Sequence, residues 1–216
     1  MGKDDFIFLR RDVTMEKLFN LIFLGSFCSL FFSRLFYGFF HSKGIFINPL
    51  VFLLFPYFPG LSLLGGLLGA GIFLGFLATR KKKELSLGRM ADFFSISFLI
   101  TLPIGFLGYF ILSDDFNFVK ACFLVGSYIF LFVIFLKFLL PQLLSGKLKE
   151  GTITFLFLIS FSGISLISNA FPAMSVLDFF KNFENLMLVV ILIVSAIFLI
   201  RQEGLLEKIK NLRGRV

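Results

Sequence analysis

Arg34 is the first residue in this chain whose chemistry needs explaining. It stands in an apolar run from Leu18 to Phe40, where an uncompensated cation near the bilayer centre would cost about 2.5–3.5 kcal/mol on insertion scales. At 100° per residue Gly38 and His41 share its helix face, and Tyr37 lies close to that face. Two readings are open. A guanidinium can bond phosphate oxygens bidentately, so the stripe can hold the phosphate of a lipid headgroup. Alternatively Arg34 snorkels to the headgroup level and His41 is a loop residue without a role. His41 is the single histidine, and so the one side chain whose ordinary pKa suits proton transfer near neutral pH. It is the one candidate catalytic residue.

The glycines carry the second signal. Leu61-Ser62-Leu63-Leu64-Gly65-Gly66-Leu67-Leu68-Gly69-Ala70-Gly71 opens one apolar run, Gly75 continues its small face, and Gly105-Phe106-Leu107-Gly108 lies in the next run. Small residues at such spacings let membrane helices approach closely. The same lack of a side chain at Gly65, Gly66, Gly105 and Gly108 would let a lipid headgroup reach the backbone. Other chemistry has few carriers. Cys28 and Cys122 both fall in apolar runs, which suggests neither a disulfide framework nor a thiolate metal site. No pair of carboxylates, no Ser-His-Asp set and no phosphate-cradling loop with a lysine is visible, so neither a metal nor a cofactor is expected.

The elements that must position these residues are membrane spans. The chain is 58% apolar and 16% charged, with a mean hydropathy of +0.97, against about 45–50% apolar and ~25% charged for soluble domains. A bilayer core needs about 20 apolar residues in a helix, and six runs qualify: Leu18 to Phe40, Leu61 to Thr79, Ala91 to Leu112, Phe118 to Leu140, Thr152 to Phe171 and Phe183 to Ile200. The expected fold class is an all-α polytopic membrane protein. Pro103 should kink the third span, which a buried membrane helix tolerates. The stretch 45–58, with Asn48, Pro49 and Pro56, is too short to span and reads as interfacial or re-entrant. The first run is too long for a signal peptide and no small-residue cleavage site follows it. Residues 1–17 form an N-terminal segment, 18–200 the helical domain, and 201–216 a basic tail.

Orientation follows from the basic residues, which cytoplasmic loops retain. With the N-terminus inside, the inner segments hold Arg10, Arg11, the loop of Arg80, Lys81, Lys82, Lys83 and Arg89, the pair Lys147 and Lys149, and the tail; the outer segments hold only Lys43 and Lys181. Both termini are therefore expected in the cytoplasm. The net charge of +8 then reports topology and attraction to anionic lipid and does not point to nucleic acid. Asp92, just after the basic loop, is placed to cap the third helix at its N-terminus. Lys120 and Lys137, near opposite ends of the fourth span, can snorkel.

The order of pieces carries a resemblance. Ser33-Arg34-Leu35-Phe36-Tyr37, Asn48-Pro49, Gly60-Leu61-Ser62-Leu63-Leu64-Gly65-Gly66-Leu67-Leu68-Gly69, a basic loop, Ala91-Asp92, and Gly105-Phe106-Leu107-Gly108-Tyr109-Phe110 together resemble the prolipoprotein diacylglyceryl transferase family. The likeness is clearest from residue 30 to 112. Family members are inner-membrane enzymes with one helix more at the N-terminal side, and they move a diacylglyceryl group from phosphatidylglycerol to the thiol of a lipobox cysteine. The resemblance implies a bacterial inner-membrane protein that takes phosphatidylglycerol or another anionic phospholipid and meets prolipoprotein signal segments. Site residues carry over in part. Where the family has a histidine before its Gly-Gly pair, this chain has Leu64. The polar places of the family signature become Phe106, Tyr109, Leu112 and Asp114, and the late helix offers Ser165, Ser168 and Asn169. Arg34 and Asp92 remain. Displacing a phosphate with a thiolate needs a cation near the phosphate and help in deprotonating the thiol; Arg34 can supply the first, and only His41 the second. A lipid-binding relative of the transferases, an active transferase, and a non-catalytic transporter or scaffold all stay open on the sequence.

Overall fold

The computed structural model describes residues 15–40, 61–80, 87–112, 117–170 and 176–204. His41, Lys43, Asp114, Asp115 and the stretch 45–58 lie outside the described residues. The described chain is helical: α1 Met15–Phe40, α2 Leu63–Arg80, α3 Leu87–Leu112, α4 Phe118–Ile134, a π turn Phe135–Leu139, α5 Leu140–Leu144, α6 Thr152–Ala170, α7 Val176–Lys181 and α8 Phe183–Glu203. Five helical stretches are long and apolar enough to cross a membrane, namely Ile22–Phe40, Leu87–Ile111, Phe118–Leu144, Thr152–Ala170 and Phe183–Glu203, with Leu63–Leu77 a shorter apolar helix. This is the fold class the apolar runs predict, an all-α polytopic membrane protein. Its helices bury a modest share of their side chains and leave phenylalanines, leucines and isoleucines such as Phe27, Phe130 and Ile111 outward, as lipid-facing surfaces require.

Two compact units divide the chain, one up to Leu87 and one from Gly88 onward. In the first, α1 and α2 run antiparallel with their backbones in contact, and the sequence explains why. A Cβ on Gly65 would stand 2.6 Å from Phe36 Cβ and 2.8 Å from the Phe32 carbonyl oxygen; one on Gly69 would stand 2.7 Å from Phe32 Cβ and 2.9 Å from the Cys28 carbonyl oxygen. Only glycine fits at that approach. The close packing lets α1 side chains reach α2 carbonyls: Ser33 Oγ donates to Ser62 O at 2.7 Å and Ser29 Oγ to Gly66 O at 2.8 Å, with Cys28 Sγ a weaker donor to Gly69 O at 3.6 Å. Each carbonyl has a second lone pair for this bond, and in hydrocarbon no water competes for it.

The second unit packs α3, α4, α6 and α8 around aromatic rings. Tyr128 of α4, fully buried, stacks on Phe106 of α3 at 5.6 Å and leans on Phe161 of α6 at 6.4 Å. Phe98 of α3 meets Phe157 of α6 edge-on at 6.0 Å, and Phe155 of α6 stacks on Phe198 of α8 at 5.7 Å. Helix starts follow familiar residues: the Asn117 side chain accepts from Lys120 N–H and the Asn182 side chain from Glu184 N–H. α3 runs through Pro103.

Two local features differ from the sequence expectations. The fourth span does not stop at Leu140 but continues to Leu144. Pro141 lacks an N–H and crowds the carbonyl four residues back, and the chain answers with a widened turn just before it, where Leu140 N–H donates to Phe135 O. Gly105 and Gly108 meet nothing within 4 Å of a built Cβ, so among the described residues they do not pack a helix contact as Gly65 and Gly69 do.

These contacts give a paired prediction. Gly69→Ala should lower thermal stability by about 1–3 kcal/mol, the usual cost of overpacking. Gly75, which also meets nothing within 4 Å, should accept Ala neutrally or with a gain of up to ~1 kcal/mol from helix propensity. Thermal unfolding of both variants in one detergent checks the contrast.

Candidate functional site

In the first unit, the start of α2 meets the turn of α1 that carries Arg34, while Gly105 and Gly108 lie in the second unit and His41 lies outside the described residues. Ser33 accepts the Ser62 N–H through its backbone oxygen at 3.1 Å while its hydroxyl donates to Ser62 O. Ser62 Oγ in turn accepts the Gly65 N–H at 3.2 Å, the geometry of a serine cap. The N-terminus of α2 is thereby pinned to the α1 turn that carries Arg34. Arg34 itself is 2% exposed. Gly38, one turn on, is buried and Tyr37 is half-buried. Arg34 takes part in a polar or ring interaction within the protein.

Electrostatically this corner is positive twice over. A helix N-terminus carries about half a positive charge on N–H groups that have no intrahelical acceptor, and such termini bind phosphates and carboxylates. Arg34 adds a full charge. From residue 17 to residue 83 the sequence holds basic residues and no Asp or Glu, so the spans of this unit carry no carboxylate of their own. The arrangement can hold an anion. Among the described residues from 17 to 80 there is no His, Asp or Glu to take a proton from a thiol, and Leu64, just before the glycine pair, is buried at 7% exposure. On their Cβ sides Gly65 and Gly66 face α1, the latter 3.2 Å from Ser29 Oγ, so a ligand would meet the backbone at the start of α2 and not this packed ridge.

A second polar cluster lies in the second unit, and its centre is Asp92. Asp92 does not cap its own helix, which begins five residues earlier at Leu87. It caps α6 instead. Its carboxylate accepts the Gly151 N–H at 2.7 Å, the Thr154 N–H at 2.8 Å and the Thr154 hydroxyl at 2.9 Å, and it is fully buried. The sequence expectation had the right chemistry, a carboxylate at a helix N-terminus, on the wrong helix. A cap that comes from 59 residues away has no local signal.

The same helix start is held from a third side. Glu203 at the end of α8 accepts the Thr152 hydroxyl at 2.6 Å and the Lys149 N–H at 3.2 Å. Gln202 donates to Glu150 O at 2.6 Å, and Lys149 Nζ donates to Gln202 O. Arg89 pairs with Glu150 at 2.5 Å with both side chains about 40% exposed (39% and 42%), a contact of little net worth in water. Two glycines make the approach possible. Gly151 adopts φ +93°, where side chains are strained, and a Cβ on Gly88 would fall 2.7 Å from the Glu150 carbonyl carbon. Neither glycine was marked by the sequence reading. Gly88, in the first turn of α3, and Gly151, in the turn before α6, each stand beside a charged residue, and that is the only signal they give.

The remaining candidates are dispersed. Ser165 meets Tyr128 at a long 3.5 Å, and Asn169 donates to Asn185, whose own amide donates to Phe179 O. Lys120 is half-exposed, and Lys137 is exposed with its ammonium 5.8 Å from the Phe138 ring centre. No group of three or more His, Cys, Asp or Glu that could hold a metal occurs among the described residues. The chain matches no protein-family model, no curated protein and no solved structure.

Asp92→Ala should be strongly destabilising, because it strands the N–H groups of Gly151 and Thr154 in a buried place at roughly 1–3 kcal/mol each. Asp92→Asn, which keeps one acceptor oxygen, should cost less. Thermal unfolding of the two variants, expressed side by side with the parent, checks both the size and the order.

Proposed function

We propose that this protein binds the phosphate of an anionic phospholipid at Arg34 and the start of α2, as a relative of the prolipoprotein diacylglyceryl transferases that holds lipid without turning it over. The observation that carries the reading is the Ser33–Ser62 pair of hydrogen bonds, which sets a helix N-terminus beside the turn bearing a buried arginine. A fork of guanidinium donors and the positive end of a helix are complementary to the same ligand, a phosphate with several acceptor oxygens. Phosphatidylglycerol is the ligand the resemblance implies, and prolipoprotein signal segments are the protein partners it implies. Leu64 in the histidine's place is the reason to separate binding from transfer. The membrane is proposed to be the bacterial inner membrane, with both termini and the loop 80–89 in the cytoplasm, on the strength of the basic residues in that loop and the tail.

Three measurements test this reading. Native mass spectrometry of lipid retention should show Arg34→Gln binding phosphatidylglycerol about 10- to 150-fold more weakly, the equivalent of a charge-assisted hydrogen bond of ~1.5–3 kcal/mol. Arg34→Lys should recover part of the loss, since an ammonium lacks the fork; equal retention by parent and Arg34→Gln would reject the site. A transferase assay with labelled phosphatidylglycerol and a lipobox peptide should give no product, and turnover that His41→Gln abolishes would replace binding by catalysis. For topology, a cysteine at Ser86 should resist impermeant thiol reagents applied from outside; labelling there would invert the orientation.

A further inference from the structure

The interior of the second unit holds a hydroxyl that the helices do not satisfy. Ser162 of α6 is fully buried, and its Oγ has no hydrogen-bond partner among the described residues. Serines in membrane helices ordinarily donate to the carbonyl one turn back. This chain does so elsewhere: Ser95 Oγ donates to Ala91 O at 2.9 Å and Thr101 Oγ1 to Phe98 O at 2.9 Å. Ser162 is therefore an exception within its own fold. It lies 10 residues from the start of α6 at Thr152 and 8 from its end at Ala170, near the middle of the span, where an unmet hydroxyl is costly.

A second, separate observation lies one turn further along. The Tyr128 hydroxyl meets Ser165 Oγ at 3.5 Å, beyond the 2.5–3.0 Å of an ordinary O–H···O bond. The tyrosine ring cannot simply move closer, being stacked on Phe106 and leaning on Phe161. Ser162 and Ser165 are three residues apart on one helix, so their Cβ atoms stand about 5–6 Å from each other on one face. That is a span one water bridges with two bonds of normal length. Contacts of 3.5 Å or more between polar groups are the ordinary setting of such a bridge.

We propose that a single ordered water is bound inside the second unit, held by Ser162, Ser165 and Tyr128. Three polar partners are the usual complement of a buried water, and this trio supplies donors and acceptors that rotate to suit it. The water takes the Ser162 bond that no helix carbonyl takes and closes the slack between Tyr128 and Ser165. From this point the buried Ser168 and the Asn169–Asn185 pair continue the polar side chains of α6 toward its C-terminal end. The site belongs to the second unit and is independent of lipid binding at Arg34.

The test is infrared difference spectroscopy of the parent protein in lipid, comparing ordinary water with oxygen-18 water. A bound water gives an O–H stretching band that shifts on isotope exchange, whereas serine and tyrosine hydroxyl bands do not. The band should be present in the parent, absent in Ser162→Ala, and displaced in Tyr128→Phe, with Ser162→Ala melting about 2–4 °C lower. An isotope-insensitive spectrum in the parent, or Ser162→Ala melting higher because a dry hydroxyl has been removed, would overturn the proposal.

Discussion

Hydrocarbon offers no partner to a polar group, and the two compact units meet that constraint in different ways. In the first unit the helices come so close that side-chain hydroxyls of α1 share the carbonyls of α2, which requires the glycines at 65 and 69. In the second, the polar ends of α6 are closed by residues from α3 and α8. Asp92 and Glu203 bring two carboxylates to one helix start, where backbone N–H groups and the helix dipole both favour negative charge. Neither solution depends on interhelical hydrophobic attraction, which lipid chains largely cancel. Packing and internal hydrogen bonds do the holding.

The same constraint shapes the proposed lipid site. The sequence around Arg34, from residue 17 to residue 83, holds no carboxylate. Pinning α2 by Ser62 places the positive end of a helix beside the turn that carries Arg34. In the proposed reading this positive character attracts an anionic headgroup, the anion a membrane supplies. Proton transfer makes a different demand, a base held against the reacting group, and the buried Leu64 offers nothing of that kind.

Much of the fold was legible because membrane spans are written in composition: each of the six apolar runs became a helix, with ends displaced by a few residues. Gly65 and Gly69 were legible as a packing ridge for the same reason, since spacing alone implies a face. Gly105 and Gly108 have similar spacing and meet no neighbour among the described residues, because spacing states that a small face exists and not that a neighbour is there. Asp92 shows the other limit. Its chemistry was readable and its partner was not, as a cap from a distant segment depends on tertiary approach through Gly88 and Gly151. The continuation of the fourth span past Pro141 was missed because a widened turn lets a helix run on past a residue that ordinarily ends one. The orphaned hydroxyl of Ser162 has no signature in sequence at all, since most serines in spans satisfy themselves.

The account turns on whether a lipid phosphate meets Arg34. Magnetic-resonance recoupling between nitrogen-15 of the arginine guanidinium groups and phosphorus-31 of phosphatidylglycerol, in bilayers containing the full-length protein, reads that contact without relying on affinity. A nitrogen–phosphorus dephasing signal that is present in the parent and lost in Arg34→Gln is the expected result. Its absence in the parent, or its persistence undiminished in Arg34→Gln, would contradict the proposed site and return Arg34 to a role in snorkelling or helix pairing.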